Sequence, residues 1–338
     1  MRFGFTEDQE LFAQTVAELL GNECTHEHLA SAWETESGWI PGLWEKLAEV
    51  GILGLSVPEA HGGLALSEID LVLILEEVGR AACPDPIAET VAIGAPLLAE
   101  VGGSHAEEWL PKIAAGEARI ALGLEDSPYV AGAASADLLI LQRGDALHAL
   151  RPGEAKIEAK PSVDGARRLY SVDWSPGRDT LLAEGEPGRR LATRAFDRGA
   201  LAAAAQLNGL GRALIDTTVE YAKGRVQFGQ PIGAFQAIKH HLADTLTKLE
   251  FARPATYWAA NSLSTEATTT ALDVSTAKAL ASDAAQLCFR TSLQCRGAIA
   301  YTYEYHAHMW MKRVLVLAAS YGSAAWHRRR AAGILLDA

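Results

Sequence analysis

Cysteine is scarce in this 338-residue chain, and what there is has no working arrangement. Cys24, Cys83, Cys288 and Cys295 show no C-x-x-C spacing and no histidine at metal-ligand spacing. That excludes a zinc site and a disulfide framework, and predicts reduced thiols. Positive charge is also short. Lys and Arg number 30 against 42 Asp and Glu, a formal net charge of −12, which argues against nucleic acid or an acidic membrane surface as partner. No apolar run reaches membrane-spanning length. The start, Met1 to Thr6, carries no secretion-signal pattern, so the expected location is cytoplasmic. An anionic ligand would need local basic groups, and the candidates are Arg225, the run Lys239-His240-His241, and Lys312-Arg313.

What is present is enough apolar material for real cores: hydrophobic residues make up 49% of the chain, and its length accommodates two or three domains. Thr6 and Gln9 form a capping-box pattern ahead of a stripe of Leu11, Phe12, Val16, Leu19 and Leu20. Further helices are expected at 42–50, 67–80, 87–100 and 106–115, with a Gly/Pro-rich loop at 51–63 that a helix cannot traverse. Near Ala118 the pattern changes to short apolar or alternating runs, at 119–124, 137–141, 146–150, 169–173 and 180–182, separated by Gly, Pro and Asp. Phe196-Asp197 reads as a strand-to-helix transition, and helices follow almost to the end. The expected fold is α+β, mainly α: an N-terminal helical domain (1–117), a small β domain (118–194) and a C-terminal helical bundle (195–338).

The C-terminal helices meet at one corner, Gly224 to Gln236. An Ala- and Leu-rich helix from Ala200 to Lys223 precedes it, and Phe235, Ile238, Leu242, Thr245 and Leu249 recur at helical spacing after it, to about Phe251. Gly229, Pro231 and Gly233 stop one helix and open the next. Arg225 and Phe228, three apart, would share a face of the ending helix, with Gln236 offering an amide from the other side. Such a corner could hold an anionic, partly flat ligand, or be a capped turn with a solvated arginine and a core phenylalanine. The Gly209-Leu210-Gly211 stretch lacks a third glycine and a preceding strand, so it reads as helix packing. His61-Gly62-Gly63 has no G-x-S-x-G nucleophile to accompany it, which excludes a hydrolase.

The order Arg225-x-x-Phe228-Gly229-x-Pro231-Ile232-x-x-Phe235-Gln236 resembles the signature of the acyl-CoA dehydrogenase family, flavoenzymes that desaturate acyl-CoA thioesters. The Pro58-Glu59-x-x-Gly62-Gly63 turn and the helical–β–helical order are similar to that family along essentially the whole chain. A second segment, Gln294 to Tyr305, resembles its Gln-x-x-Gly-Gly-x-Gly-Tyr-x-x-Glu-Tyr motif at Gln294, Gly297, Tyr301, Glu304 and Tyr305. Two glycines of that motif are Ala298 and Ala300 here, and each added methyl hinders close backbone approach to a cofactor. The resemblance implies FAD as cofactor, an acyl-CoA substrate and an electron-transfer flavoprotein as further partner. It gives Arg225, Phe228, Gln236, Gln294 and Gly297 as cofactor-binding residues.

The same resemblance exposes losses. The desaturation needs a carboxylate to take the α-proton. In the family it stands just before the last helix, or near the start of the first C-terminal helix. Here those positions hold Tyr321, followed by Gly322-Ser323, and Gly199. A phenol with an ordinary pKa of about 10 is a poor base at neutral pH. The family's flavin-binding β segment survives only as a trace at 124–129, and its Trp-Ile-Thr segment has no equivalent. Family members share each FAD across a subunit interface, so the expectation is a non-catalytic subunit with a full-length catalytic partner. It resembles the short subunit of heteromeric (α2β2) acyl-CoA dehydrogenases of steroid side-chain breakdown. Two alternatives stand beside it: a homomeric dehydrogenase using Glu304 or Asp216 as base, and a flavin-free acyl-CoA-binding scaffold.

Overall fold

The computed structural model describes residues 4–336. It is mainly helical, with N-terminal helices, β-sheets in the middle and a C-terminal helical bundle. Thr6 and Gln9 do form a reciprocal cap: the Thr6 amide donates to Gln9 Oε1 (2.9 Å) and the Gln9 amide to Thr6 Oγ1 (3.3 Å). Helix α1 follows (Glu7–Glu23), then α2 (His26–Glu34), α3 (Leu43–Glu49) and α4 (Glu68–Arg80). Helix α2 has no counterpart among the expected elements. A π-helical stretch, Ala88–Gly94, runs into α5 (Ala95–Val101), and α6 (Gly103–Ala114) ends the helical N-terminal part.

The middle segment forms two sheets. One has the order β1 (Ile120–Gly123), β3 (Leu138–Arg143), β4 (Ala146–Leu150), β7 (Leu181–Ala183); the other places β6 (Leu169–Asp173) between β2 (Val130–Ala131) and β5 (Lys156–Lys160). β1 and β3 are parallel and the remaining pairs antiparallel. Ala121, Val130, Leu139, Leu141, Leu150, Tyr170 and Trp174 form their common core. Strands β2 and β5 escaped the sequence pattern because one is two residues long and the other, Lys-Ile-Glu-Ala-Lys, is largely exposed.

Helix α7 spans Gly185–Gly224. Phe196 and Asp197 therefore lie inside a helix and mark no strand-to-helix transition. The helix begins at Gly185, and its 185–199 stretch is less apolar than the Ala-rich part that announced it. Helices α8 (Gln236–Ser264), α9 (Thr270–Arg296), α10 (Ala307–Ala319) and α11 (Ala324–Leu336) complete the bundle. Helix α8 continues past Phe251 through Pro254. A proline removes one helical hydrogen bond, but buried Ala252, Thr256 and Ala259 carry the packing face onward.

The chain folds into two compact units. The first contains residues 1–21, 72–83 and 203–338; the second contains 22–71 and 84–202. In the first unit, α4 and α7 cross backbone to backbone. A Cβ on Gly209 would stand 1.8 Å from the Glu76 carbonyl oxygen, and one on Gly79 would stand 2.1 Å from that of Gln206. Helix packing is thus the role of the Gly209-Leu210-Gly211 stretch. Beside the crossing, buried Glu76 accepts from Arg253 Nε (2.7 Å) and the Tyr257 hydroxyl (2.6 Å), tying α4 to α8.

Candidate functional site

The corner after α7 is a β-hairpin. Helix α7 ends at Gly224, and β8 (Val226–Gln227) pairs with β9 (Gln230–Pro231). Arg225 and Phe228 therefore do not share a helix face. Between the strands Phe228 (φ 54°) and Gly229 (φ 81°) both adopt positive φ, as a two-residue type I′ turn requires. Glycine takes that conformation freely, whereas a phenylalanine costs roughly 1–2 kcal/mol. Phe228 is 92% exposed and meets Phe235 edge to face, at 6.1 Å between ring centroids. It is not a core residue of this chain.

The backbone of Arg225 is fixed in both directions. Its amide donates to the Tyr221 carbonyl (2.9 Å), and its own carbonyl accepts from the Ile232 amide (2.8 Å). Gly233 backs against α7, with space for a Cβ only 3.1 Å from the Ala222 carbonyl oxygen. From this anchored corner the Arg225 guanidinium is exposed and meets no acceptor among the described residues. Gln236 is the first residue of α8 and is exposed, and that helix start has no side-chain cap. The corner thus presents a cation, an amide and the positive end of a helix. These suit an anion.

The second signature lies where α9 ends. Gln294 is exposed on its last turn, and Gly297 (φ 66°) closes it, its amide donating to the Leu293 carbonyl. A 3-10 turn, Gly297–Tyr301, leads on. Ala300 is buried and Ala298 exposed, so the methyl at 300 is absorbed by packing. Glu304 lies in the turn before α10, which opens only at Ala307.

One residue links the two signatures. Arg296, 4% exposed, turns its guanidinium inward against α7. Nη1 donates to Thr218 Oγ1 (2.7 Å) and to Ser292 Oγ, and Nη2 donates to Thr217 Oγ1 (2.9 Å). The guanidinium lies over the rings of Tyr305 (4.8 Å) and Tyr221 (5.9 Å), which meet edge to face at 6.0 Å. Both tyrosines, with Asp216, Thr217, Val219, Glu220 and Lys223, line a surface cleft of about 650 Å³.

The turn before the last helix is held from beneath. Tyr321 (φ 51°) and Gly322 (φ 86°) are both left-handed. Buried Lys278 of α9 donates to the carbonyls of Ala318 (3.2 Å) and Gly322 (3.1 Å), and to Ser282 Oγ (3.2 Å). With no carboxylate beside it, burial pushes its ammonium down to about 7. His327 Nε2 donates to the Tyr321 carbonyl (2.7 Å) and Nδ1 faces Ser275 Oγ (3.2 Å); burial pushes this imidazole down to about 4. The backbone at Tyr321 is thus fixed without a carboxylate. Gly199 is buried within α7, in the second compact unit. Of the other candidates, Asp216 is held by Arg80 (3.4 Å) and Arg212 (3.0 Å). Arg313 is buried and donates to the Cys83 carbonyl, which removes Lys312-Arg313 as a paired basic cluster.

Arg296, Lys278 and His327 were not among the sequence candidates. Lys278 was within reach, because it shares helical spacing with the small or apolar positions Val274, Ala281 and Ser282, all buried. Arg296 carried the same signal, at helical spacing from buried Ala285, Cys288 and Ser292, whereas His327 takes its partner Ser275 from a distant helix.

Comparison with known proteins is consistent across the chain. Residues 6–117 match the family model "Acyl-CoA dehydrogenase, N-terminal domain", and residues 186–336 match "Acyl-CoA dehydrogenase, C-terminal domain". The chain is 35% identical over 309 residues to the acyl-CoA dehydrogenase IpdE2 of Mycolicibacterium smegmatis, covering 91% of this chain and 92% of that one. In fold it is similar to a chain of the ChsE4–ChsE5 complex from Mycobacterium tuberculosis (TM-score 0.88, 22% identity, 100% of both chains). A variant of the Tcur3481–Tcur3483 steroid ACAD is likewise similar (TM-score 0.87, 23% identity, 98% of both).

Proposed function

The chain belongs to the acyl-CoA dehydrogenase family of oxidoreductases, and from that premise we propose that it is the non-catalytic subunit of a heteromeric acyl-CoA dehydrogenase, completing an FAD site whose reactive ring is held by a full-length partner. One observation carries the reading. A hydrogen-bonded corner exposes Arg225, Gln236 and an uncapped helix start, while the family's two base positions hold Gly199 and Tyr321.

FAD, when bound, supplies the acceptor for the hydride that leaves the β-carbon of the acyl group. The donor set fits its diphosphate: the planar fork of Arg225 suits bidentate contact with phosphate oxygens, and Gln236 and Gln294 add neutral amides. Gly297 allows close backbone approach, and Phe228 offers an aromatic edge. What these residues do is bind and orient. None of them can take the α-proton, and on this reading the carboxylate comes from the partner. Asp216 is engaged in surface ion pairs with Arg80 and Arg212. Two relatives in fold are named as two-chain assemblies, one of them a steroid ACAD. By analogy the substrate class is a bulky steroid-derived acyl-CoA, with an electron-transfer flavoprotein as electron acceptor.

The test is to purify the chain alone and co-expressed with a full-length acyl-CoA dehydrogenase, recording flavin absorbance per protein. The expected result is flavin and turnover only with the partner, with flavin retention lowered at least tenfold by Arg225→Ala. Stoichiometric FAD and turnover in the lone chain would establish a homomeric enzyme. No flavin in any combination would establish a scaffold.

A further inference from the structure

We propose that Arg296 is a positioning residue that sets the Gln294–Gly297 edge and the 298–305 turn in register with the Arg225 hairpin, so that the two signatures act as one surface. The proposal rests on the shared-FAD reading for its functional consequence, but its structural half stands alone.

A guanidinium removed from water is costly unless its donors are satisfied and its charge compensated. Arg296 is 4% exposed, has no carboxylate in ion-pair range among the described residues, and leaves Nε without a partner. What it does have are three hydroxyls and two aromatic faces. Those groups lie on three separate pieces of backbone. Ser292 belongs to the end of α9, Thr217, Thr218 and Tyr221 to the last turns of α7, and Tyr305 to the far end of the second signature. A planar fork under a stacked ring fixes direction as well as distance, which a lysine or an aliphatic residue cannot do.

The connection to the hairpin is direct. The Tyr221 carbonyl accepts the Arg225 amide at 2.9 Å, so the turn of α7 that Arg296 grips is the one from which Arg225 emerges. On the other side, Arg296 immediately precedes Gly297, whose left-handed φ redirects the chain. In the turn beyond, Ala300 is buried and Tyr303 meets the His308 ring (5.0 Å) and the Lys312 ammonium (4.9 Å), contacts that reach only the adjoining α10 and not α7. Thr302 bonds only back to Ile299, through its amide (3.1 Å) and its hydroxyl (2.8 Å), and Tyr301 and Tyr303 are each 75% exposed. Without the clamp, Tyr305 would lose the guanidinium contact that ties it, and the turn it closes, to α7.

The experiment compares Arg296→Met, Tyr305→Ala and Tyr305→Phe in the co-expressed complex and in the chain alone. Three quantities are read: the FAD dissociation constant, amide exchange along the chain, and pairing by size-exclusion chromatography. Expected are an FAD dissociation constant raised tenfold or more by Arg296→Met and by Tyr305→Ala, and one within twofold of wild type for Tyr305→Phe, which keeps the ring. Exchange should rise at 298–305 and stay unchanged in the cores of α8 and α9, with pairing intact. FAD affinity within twofold of wild type in Arg296→Met would overturn the proposal. So would exchange rising throughout α7–α9, the signature of a merely structural role. Should the wild-type complex hold no flavin, the shared-site reading fails on its own. In that case the exchange of 298–305 in the lone chain still decides whether Arg296 positions the turn.

Discussion

Asp85 is the buried carboxylate with the clearest consequence for pH. Its Oδ2 accepts from the Ile40 amide (3.2 Å), while Oδ1 is buried without a partner. Burial raises its pKa from 3.8 to about 7, against the opposing pull of that hydrogen bond and of Arg119; Glu45 adds to the rise. The sign follows from linkage. Between about pH 4 and 7 the folded state holds this proton and the unfolded state does not, so rising pH removes stability through that window. Asp85→Asn keeps an acceptor for Ile40 and does not titrate. The variant should therefore gain on wild type as pH rises, by about 3–4 kcal/mol between pH 4 and 8 at the upper bound set by 1.36 kcal/mol per pKa unit. Urea melts at the two pH values check it, and a constant difference between the proteins would refute the assignment. The four cysteines, by contrast, are buried and outside any disulfide, and burial pushes Cys288 up to about 12, where a thiol is inert.

The β8–β9 hairpin illustrates how far sequence reasoning carries at the scale of an element. Gly229 and Pro231 marked a break between helices, and the break is there. Its form was hidden, because a two-residue turn with positive φ is ordinarily announced by Asn-Gly or Asp-Gly, and this chain has Phe228-Gly229. Strain at an exposed aromatic points to a role in binding. Phe228→Asn should stabilise the isolated chain by about 0.5–1 kcal/mol, since asparagine tolerates the left-handed region. The same change should weaken flavin retention in the complex. Thermal melts of the lone chain and flavin content of the pair give the two readings, and a destabilised lone chain would contradict the strain argument. The helices with strong periodicity were legible for the same reason that the hairpin was not: a repeating apolar face is written in one segment. Helix α2, with only Leu29 and Ala32 buried, had too short a stripe to register.

For the whole molecule, the question is which chain owns the chemistry. The Tyr321 turn is closely held: Lys278 and His327 bond three carbonyls around it. On the proposed reading these bonds serve the fold and not the chemistry. If so, Tyr321→Phe should leave turnover of the assembled complex within about twofold of wild type, because the hydroxyl takes no part. Steady-state acyl-CoA oxidation by the reconstituted complex tests this. A loss of a hundredfold, or about 2.7 kcal/mol of barrier, would assign Tyr321 to the chemistry and return the active site to this chain. Among the described residues no helix is long and apolar enough to cross a membrane.

The sequence by itself determined the family and the α+β order, because each is a matter of residue identity at a spacing along the chain. Arg225, Gln236 and Gln294 could be named in the same way. Tertiary structure alone decided how those residues are presented. It placed Arg225 on an anchored hairpin, turned Phe228 outward, and joined the two signatures through Arg296. Such links depend on hydroxyls, carbonyls and rings from α7, α9 and the 298–305 turn meeting in space, and a meeting between segments some 80 residues apart leaves no periodic trace in either of them.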